Sequence, residues 1–182
     1  GLVHVHAIVM TTWVALFLVQ VRLIAVRRAD LHRRLGVVGA ALAVLVVVVG
    51  TATSIEAARR GLMPASFGGA ALEFLVIPLG AVVVFGVLVA AALAYRRRSD
   101  FHKRLMALAS IGILTPAIAR IPLDIVQAGG PPLFLGLTDL IALACVAYDT
   151  ARNRRLHPAF GWGLLFLFAS QALRLMLAGT PA

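Results

Sequence analysis

Asp30-Leu31-His32-Arg33-Arg34-Leu35-Gly36 is a short basic turn built around a histidine. It recurs as Asp100-Phe101-His102-Lys103-Arg104-Leu105-Met106 and, in degraded form, as Arg154-Arg155-Leu156-His157-Pro158. Each copy stands between two long apolar runs, so the sequence divides into three hairpins whose turns look alike. About 20 apolar residues cross a hydrocarbon core of about 30 Å as a helix, and only helices and closed barrels satisfy their backbone there. The reading is an all-α polytopic membrane helix bundle, six transmembrane helices arranged as three hairpins in one domain, 1–182. The spans fall at about 5–26, 35–58, 69–95, 105–121, 132–148 and 160–178.

Composition agrees. Of the 182 residues, 62% are hydrophobic, well above the roughly 45–50% of soluble domains, and no room is left for a separate soluble catalytic domain. A net charge of +10 would suggest nucleic acid in a soluble protein, but here the charge is sided. The face with the three histidine turns carries thirteen Lys and Arg against three Asp, and the opposite face carries four Arg against four acids. By the bias of Lys and Arg toward cytoplasmic loops, the histidine turns face the cytoplasm and both termini the periplasm of a bacterial inner membrane. Anionic lipid headgroups are then the expected partner of the basic face, and nucleic acid is not. The single cysteine, Cys145, lies in an apolar run as a small packing residue.

Glycine and proline punctuate the outer side. Gly61 to Gly69 and Gly129-Gly130-Pro131-Pro132 predict the two outer loops. Pro116 predicts a bend in span four, and Gly86 with Ala90 gives small-xxx-small spacing in span three.

Ionisable residues inside spans mark candidate sites, since each costs at least about 2.5–3.5 kcal/mol at the bilayer centre. At about 1.5 Å per residue from the basic turns, Arg120 lies roughly 22 Å in, Asp139 roughly 15–20 Å and Arg174 roughly 20–24 Å. His6, Glu73 and Asp124 come out at roughly 29–33 Å, near the outer headgroups. The spacing predicts an Arg120–Asp139 ion pair, with Gln171 and Arg174 on the facing helix. Its functional reading is an outward polar pocket lined by Arg120, Asp139, Gln171 and Arg174 and capped by His4, His6, Glu73 and Asp124. Its structural reading is a charge network that fixes helix register.

His32, His102 and His157 form a second constellation. Three imidazoles from three hairpins could hold zinc, copper or iron, and two at one depth could ligate a haem. Each is crowded by Arg and Lys that repel a bound cation, so the preferred reading is a histidine capping the next helix, with no metal or haem cofactor favoured. His4-x-His6 points to opposite helix faces, and His6 with Met10 is a weak haem or copper pair. No phosphate loop, nucleophile elbow or paired carboxylates appear, so no enzyme activity is assigned from the sequence and a non-catalytic role is the favoured expectation.

Phe101-His102-Lys103-Arg104-Leu105-Met106, Ala119-Arg120-Ile121-Pro122, Leu156-His157-Pro158-Ala159 and Gln171-Ala172-Leu173-Arg174 resemble an uncharacterised family of small bacterial six-helix inner-membrane proteins. The His-Lys-Arg-Leu-Met turn is distantly similar to membrane proteins of cytochrome oxidase maturation. The resemblance implies a link to respiratory or haem–copper biology and no defined reaction. The leading expectation is an accessory or assembly subunit of a larger, redox-linked membrane complex. The rivals are a haem- or metal-binding redox protein on the histidines and a small transporter using the Arg120 and Asp139 cluster.

Overall fold

In a computed structural model that describes residues 1–62 and 71–178, with the side chains of 71 and 72 left aside, every element is helical. The elements are α1 (Leu2–Ala25), α2 (Ala29–Arg59), α3 (Ala71–Ala94), α4 (Ser99–Gly112), α5 (Thr115–Ile118), α6 (Asp124–Asn153) and α7 (Pro158–Ala178). Five of them, α1, α2, α3, α6 and α7, are long and apolar enough to cross a membrane in one run. The chain is therefore an all-helical, multi-pass membrane protein. The first outer loop expected at 61–69 lies outside the described residues from 63 onward.

The segment expected as span four departs from a plain bent helix. Helix α4 stops at Gly112, and α5 restarts for a single turn at Thr115. The cause is Pro116: its ring lacks the N–H that would bond back to the Gly112 carbonyl and clashes with that oxygen, so the chain breaks just before it. The break is closed with tight turns, Leu114 N–H donating to Ile111 O and Ala117 N–H to Leu114 O, both at 2.9 Å. Beyond α5, Gln127 clamps the connection, its Nε2 donating to Ala119 O at 3.0 Å and Ile121 O at 2.8 Å.

The second outer loop is a correction to the sequence reading. Gly129 to Pro132 lie within α6, which starts at Asp124 rather than at residue 132 and is interrupted only at Gly130, with φ 57° and ψ −158°. That region is open essentially to glycine alone, and Pro131 with Pro132 then restarts the helix with preset φ. A single glycine replaces the four-residue loop.

The first and third histidine turns are alike in build, each with one left-handed arginine. In the first, Arg28 N–H reaches Leu23 O at 2.8 Å, while Arg27 takes the left-handed conformation at φ 59°. Arg154 does the same after α6, at φ 57°. These positions usually go to glycine, and a side chain there costs about 1–2 kcal/mol.

Helix α3 is the hub, packing against α2, α4 and α7. Phe85 is almost wholly buried on it, edge-on to Trp13 of α1 with ring centroids 4.9 Å apart. Helix α1 lies at the edge. It buries Val9 and Trp13 and half-buries Leu2, His6, Met10, Leu16, Phe17, Gln20 and Leu23, one face at helical spacing turned to its main partner, α2.

Replacing Arg154 with glycine should stabilise the detergent-purified protein by about 1 kcal/mol, because the left-handed penalty disappears. Thermal unfolding of Arg154→Gly against the parent measures it; an unchanged or lower midpoint would show that the arginine side chain offsets its own strain.

Candidate functional site: two polar layers in the bundle

The inner layer ties α4, α6 and α7 together. Arg104 is the sixth residue of α4 and is 4% exposed. Its Nε and Nη2 donate to the two carboxylate oxygens of Asp149 at 2.8 and 2.9 Å, and its Nη1 donates to the Asp100 carbonyl at 2.8 Å. The guanidinium also lies 5.7 Å from the centre of the Phe160 ring on α7, within cation–π range. Planar two-point pairing of this kind is the geometry that suits arginine to a desolvated carboxylate.

His157 joins the same layer. Its Nδ1 accepts the Ala159 N–H at 3.2 Å, which caps the start of α7 and leaves the ring proton on Nε2. That Nε2–H donates to Asp100 Oδ2 at 3.0 Å, while Phe101 meets the ring edge-on at 4.8 Å. The bond from His157 holds the Asp100 carboxyl below the usual carboxylate range, aided by the main-chain N–H groups of Asp100 and Phe101 and opposed by partial desolvation.

The other two histidines do not cap the helices that follow them. His102 Nδ1 donates to the Ala92 carbonyl at 2.8 Å, one of the unpaired carbonyls at the end of α3. His32 faces it, ring centroids 6.3 Å apart and nearly perpendicular. His157, turned to Asp100, stays out of this pair, and among the described residues no group of three His, Cys, Asp or Glu is placed to hold a metal. Of the three turn histidines, His32 and His102 are the two that the fold brings together.

The outer layer differs from the expected one in its pairing. Among the described residues Arg120 and Asp139 form no ion pair. Arg120 is exposed and its Nη1 donates to Pro116 O at 2.6 Å, turned back onto its own segment beyond the break before Pro116. His6 is within electrostatic reach of Arg120. Asp139 instead accepts from Gln171 Nε2 at 2.8 Å and feels the charge of Arg174. Arg174 is 9% exposed and spends its donors on main-chain oxygens, Nε to Ser170 and Nη1 to Ile77, both at 3.0 Å. Gly80 makes this possible: a Cβ there would lie 2.1 Å from Arg174 Cδ. Thr115 and Thr138 share a bond at 2.8 Å below the layer. Of the expected cap, Asp124 is exposed in the first turn of α6 and Glu73 lies in the first turn of α3, positions where a carboxylate meets the positive end of a helix.

The sequence reading missed the Arg104–Asp149 pair. Its signal was present: Asp149 is an acid at the inner end of a helix, on a face otherwise overwhelmingly basic. It also missed the alignment of His6, Trp13 and Gln20 at seven-residue spacing on the buried stripe of α1. His6 Nδ1, Trp13 Nε1, Gln20 Oε1 and, at the next turn, His32 Nδ1 are buried without a hydrogen-bond partner among the described residues.

Asp149→Asn should cost about 3–5 kcal/mol, the range for leaving one member of a buried pair uncompensated. Arg104→Met combined with Asp149→Leu should recover much of that loss, since both desolvation costs go; a double variant as unstable as the single one would mean that the pair contributes through Asp100 and Phe160 rather than through its charges.

The depressed Asp100 carboxyl carries its own pH signature. An acid bound more tightly as the anion in the folded state stabilises above its unfolded value, near pH 4, and loses that contribution as pH falls through the lower folded value. The parent should therefore lose more thermal stability below about pH 4 than Asp100→Asn does; parallel acid profiles would sink the assignment.

Compared with protein families, curated proteins and solved structures, the chain matches none.

Proposed function

We propose that this protein is a non-catalytic accessory or assembly subunit of a larger inner-membrane complex, with its histidine turns cytoplasmic and both termini periplasmic. The observation that carries the reading is the free face of α1. Opposite the stripe packed on α2, this helix presents Ala7, Thr11 and Ala15, all exposed, at four-residue spacing. Small residues in that register let a second helix approach closely in lipid. His4 and Arg22 end the same face at the two membrane boundaries, where polar side chains anchor a helix.

The transporter reading is weaker because Asp139, Gln171 and Arg174 are engaged with one another or with main-chain oxygens. The redox reading has one observation in its favour, the adjacent rings of His32 and His102 on neighbouring hairpins. The resemblance to the small six-helix family and to oxidase-maturation proteins fits both the accessory and the redox readings.

A photo-crosslinking residue at position 11 tests the proposal in native membranes. It should trap a discrete membrane partner, and Thr11→Leu with Ala15→Leu should abolish that product while leaving the bundle's thermal midpoint unchanged. Crosslinking to lipid alone would overturn it. A haem spectrum or stoichiometric copper that vanishes in His102→Ala would replace it with the redox reading.

A further inference from the structure

We propose that the inner junction of α4, α6 and α7 is a binding site for a single anionic phospholipid. Its phosphate sits between Lys103 and Arg155 over the buried Arg104, and an acyl chain lies in the apolar groove beside Trp162. The inference concerns a different face of the molecule from the α1 docking surface and does not rest on the accessory reading.

Two recesses are lined in part from the 155–158 segment. The first, about 180 Å³, is polar and is lined by Asp100, Lys103, Arg104, Asn153, Arg155 and His157. Its floor is a built one. Arg104 is buried and already fixed in place, and of its five N–H groups three go to Asp149 and the Asp100 carbonyl. Two N–H groups remain for a ligand.

Lys103 and Arg155, both exposed, form no ion pair among the described residues. Asp100, the carboxylate in the lining, is occupied by His157 Nε2. Asn153 gives one amide N–H to the Asp149 carbonyl at 2.7 Å and keeps the other. A surplus of cations and N–H donors around one small recess is the chemistry of a phosphate monoanion.

The second recess, about 260 Å³, is also lined from this segment, by Leu156 and Pro158 together with Gly161, Trp162 and Leu165. It is apolar. Trp162 is 72% exposed on the first turns of α7, the depth at which indole rings sit in membranes. A soluble phosphate would use the first recess and ignore the second, whereas a phospholipid uses both. The position on the basic face, where anionic leaflet lipids concentrate, selects phosphatidylglycerol-like headgroups over zwitterionic ones.

The test uses the full chain in a neutral detergent, titrated separately with phosphatidylglycerol, phosphatidylcholine and inorganic phosphate, and read by native mass spectrometry and thermal midpoint. One phosphatidylglycerol should stay bound and raise the midpoint, and the other two should do neither. Lys103→Gln with Arg155→Gln should weaken retention by about thirtyfold, since each cation near an anionic headgroup is worth roughly fivefold. Both side chains are exposed, so the unliganded midpoint should not move. Gly161→Leu, which fills the groove, should weaken lipid retention with the cations intact. Equal retention of phosphatidylcholine, or an unchanged affinity in the double variant, would overturn the site. Equal stabilisation by inorganic phosphate, insensitive to Gly161→Leu, would overturn the lipid assignment and leave a phosphate pocket.

Discussion

The two-point contact between Arg104 and Asp149 is what lets a broken helix stand in this bundle. Helix α4 has 14 residues, a rise of about 21 Å, and cannot cross the hydrocarbon alone. It needs lateral attachment at the end where its apolar contacts run out. The guanidinium supplies this by joining α4 to α6 through the carboxylate and to α7 through the Phe160 ring. Two desolvated charges are worth burying only when their geometry is good and their remaining hydrogen-bonding groups are used. The further bond to the Asp100 carbonyl and the capping of α7 by His157 meet that condition. The shared pattern of the three turns therefore conceals different jobs: the third anchors α7, the second ends α3 through His102, and the first packs His32 against His102.

The outer layer solves the same problem without an ion pair as its centre. A charged arginine in lipid needs donors satisfied on several sides, and Arg174 finds two of its acceptors in main-chain oxygens of α7 and α3. Its aliphatic stem crosses α3 where Gly80 carries no side chain, so the close approach of the two helices and the placement of the charge are one feature. Asp139 is then held by an amide and screened by Arg174 rather than paired directly. In place of the Arg120–Asp139 pair that the estimated depths suggested, Gln171 bonds Asp139 and main-chain oxygens bond Arg174.

The helical class and the long apolar helices were legible because apolar length is a long-range, redundant signal. What could not be read was geometry that one residue controls. Pro116 announces a bend, yet whether the chain bends or breaks depends on Thr115 finding Thr138 and on Gln127 collecting the freed carbonyls, contacts made by a helix later in the sequence. Gly130 reads as loop punctuation, although in place it is a single unwound residue inside α6. Equal estimated depth put Arg120 opposite Asp139, but depth carries no information about azimuth, and Arg120 turns back onto its own segment. Asp149 shows the converse case, a residue counted as part of a charged face whose partner turns out to decide the packing of three helices.

The distribution of polar contacts also divides the molecule. Hydrogen bonds and ion pairs between side chains of different helices join α4 to α6 and α7, α5 to α6, and α6 to α7. Helices α1 and α2 have no such link to the rest among the described residues; their ion pairs, Arg28 with Asp30 and Arg60 with Glu56, are local. The first hairpin is held by apolar packing, centred on Trp13 against Phe85. Apolar packing in lipid lacks the driving force it has in water, so α1 is the helix whose neighbours are set most by shape and least by charge. A helix attached in that way, with small residues on its free side, can accept a second packing partner without breaking any polar contact of the bundle behind it.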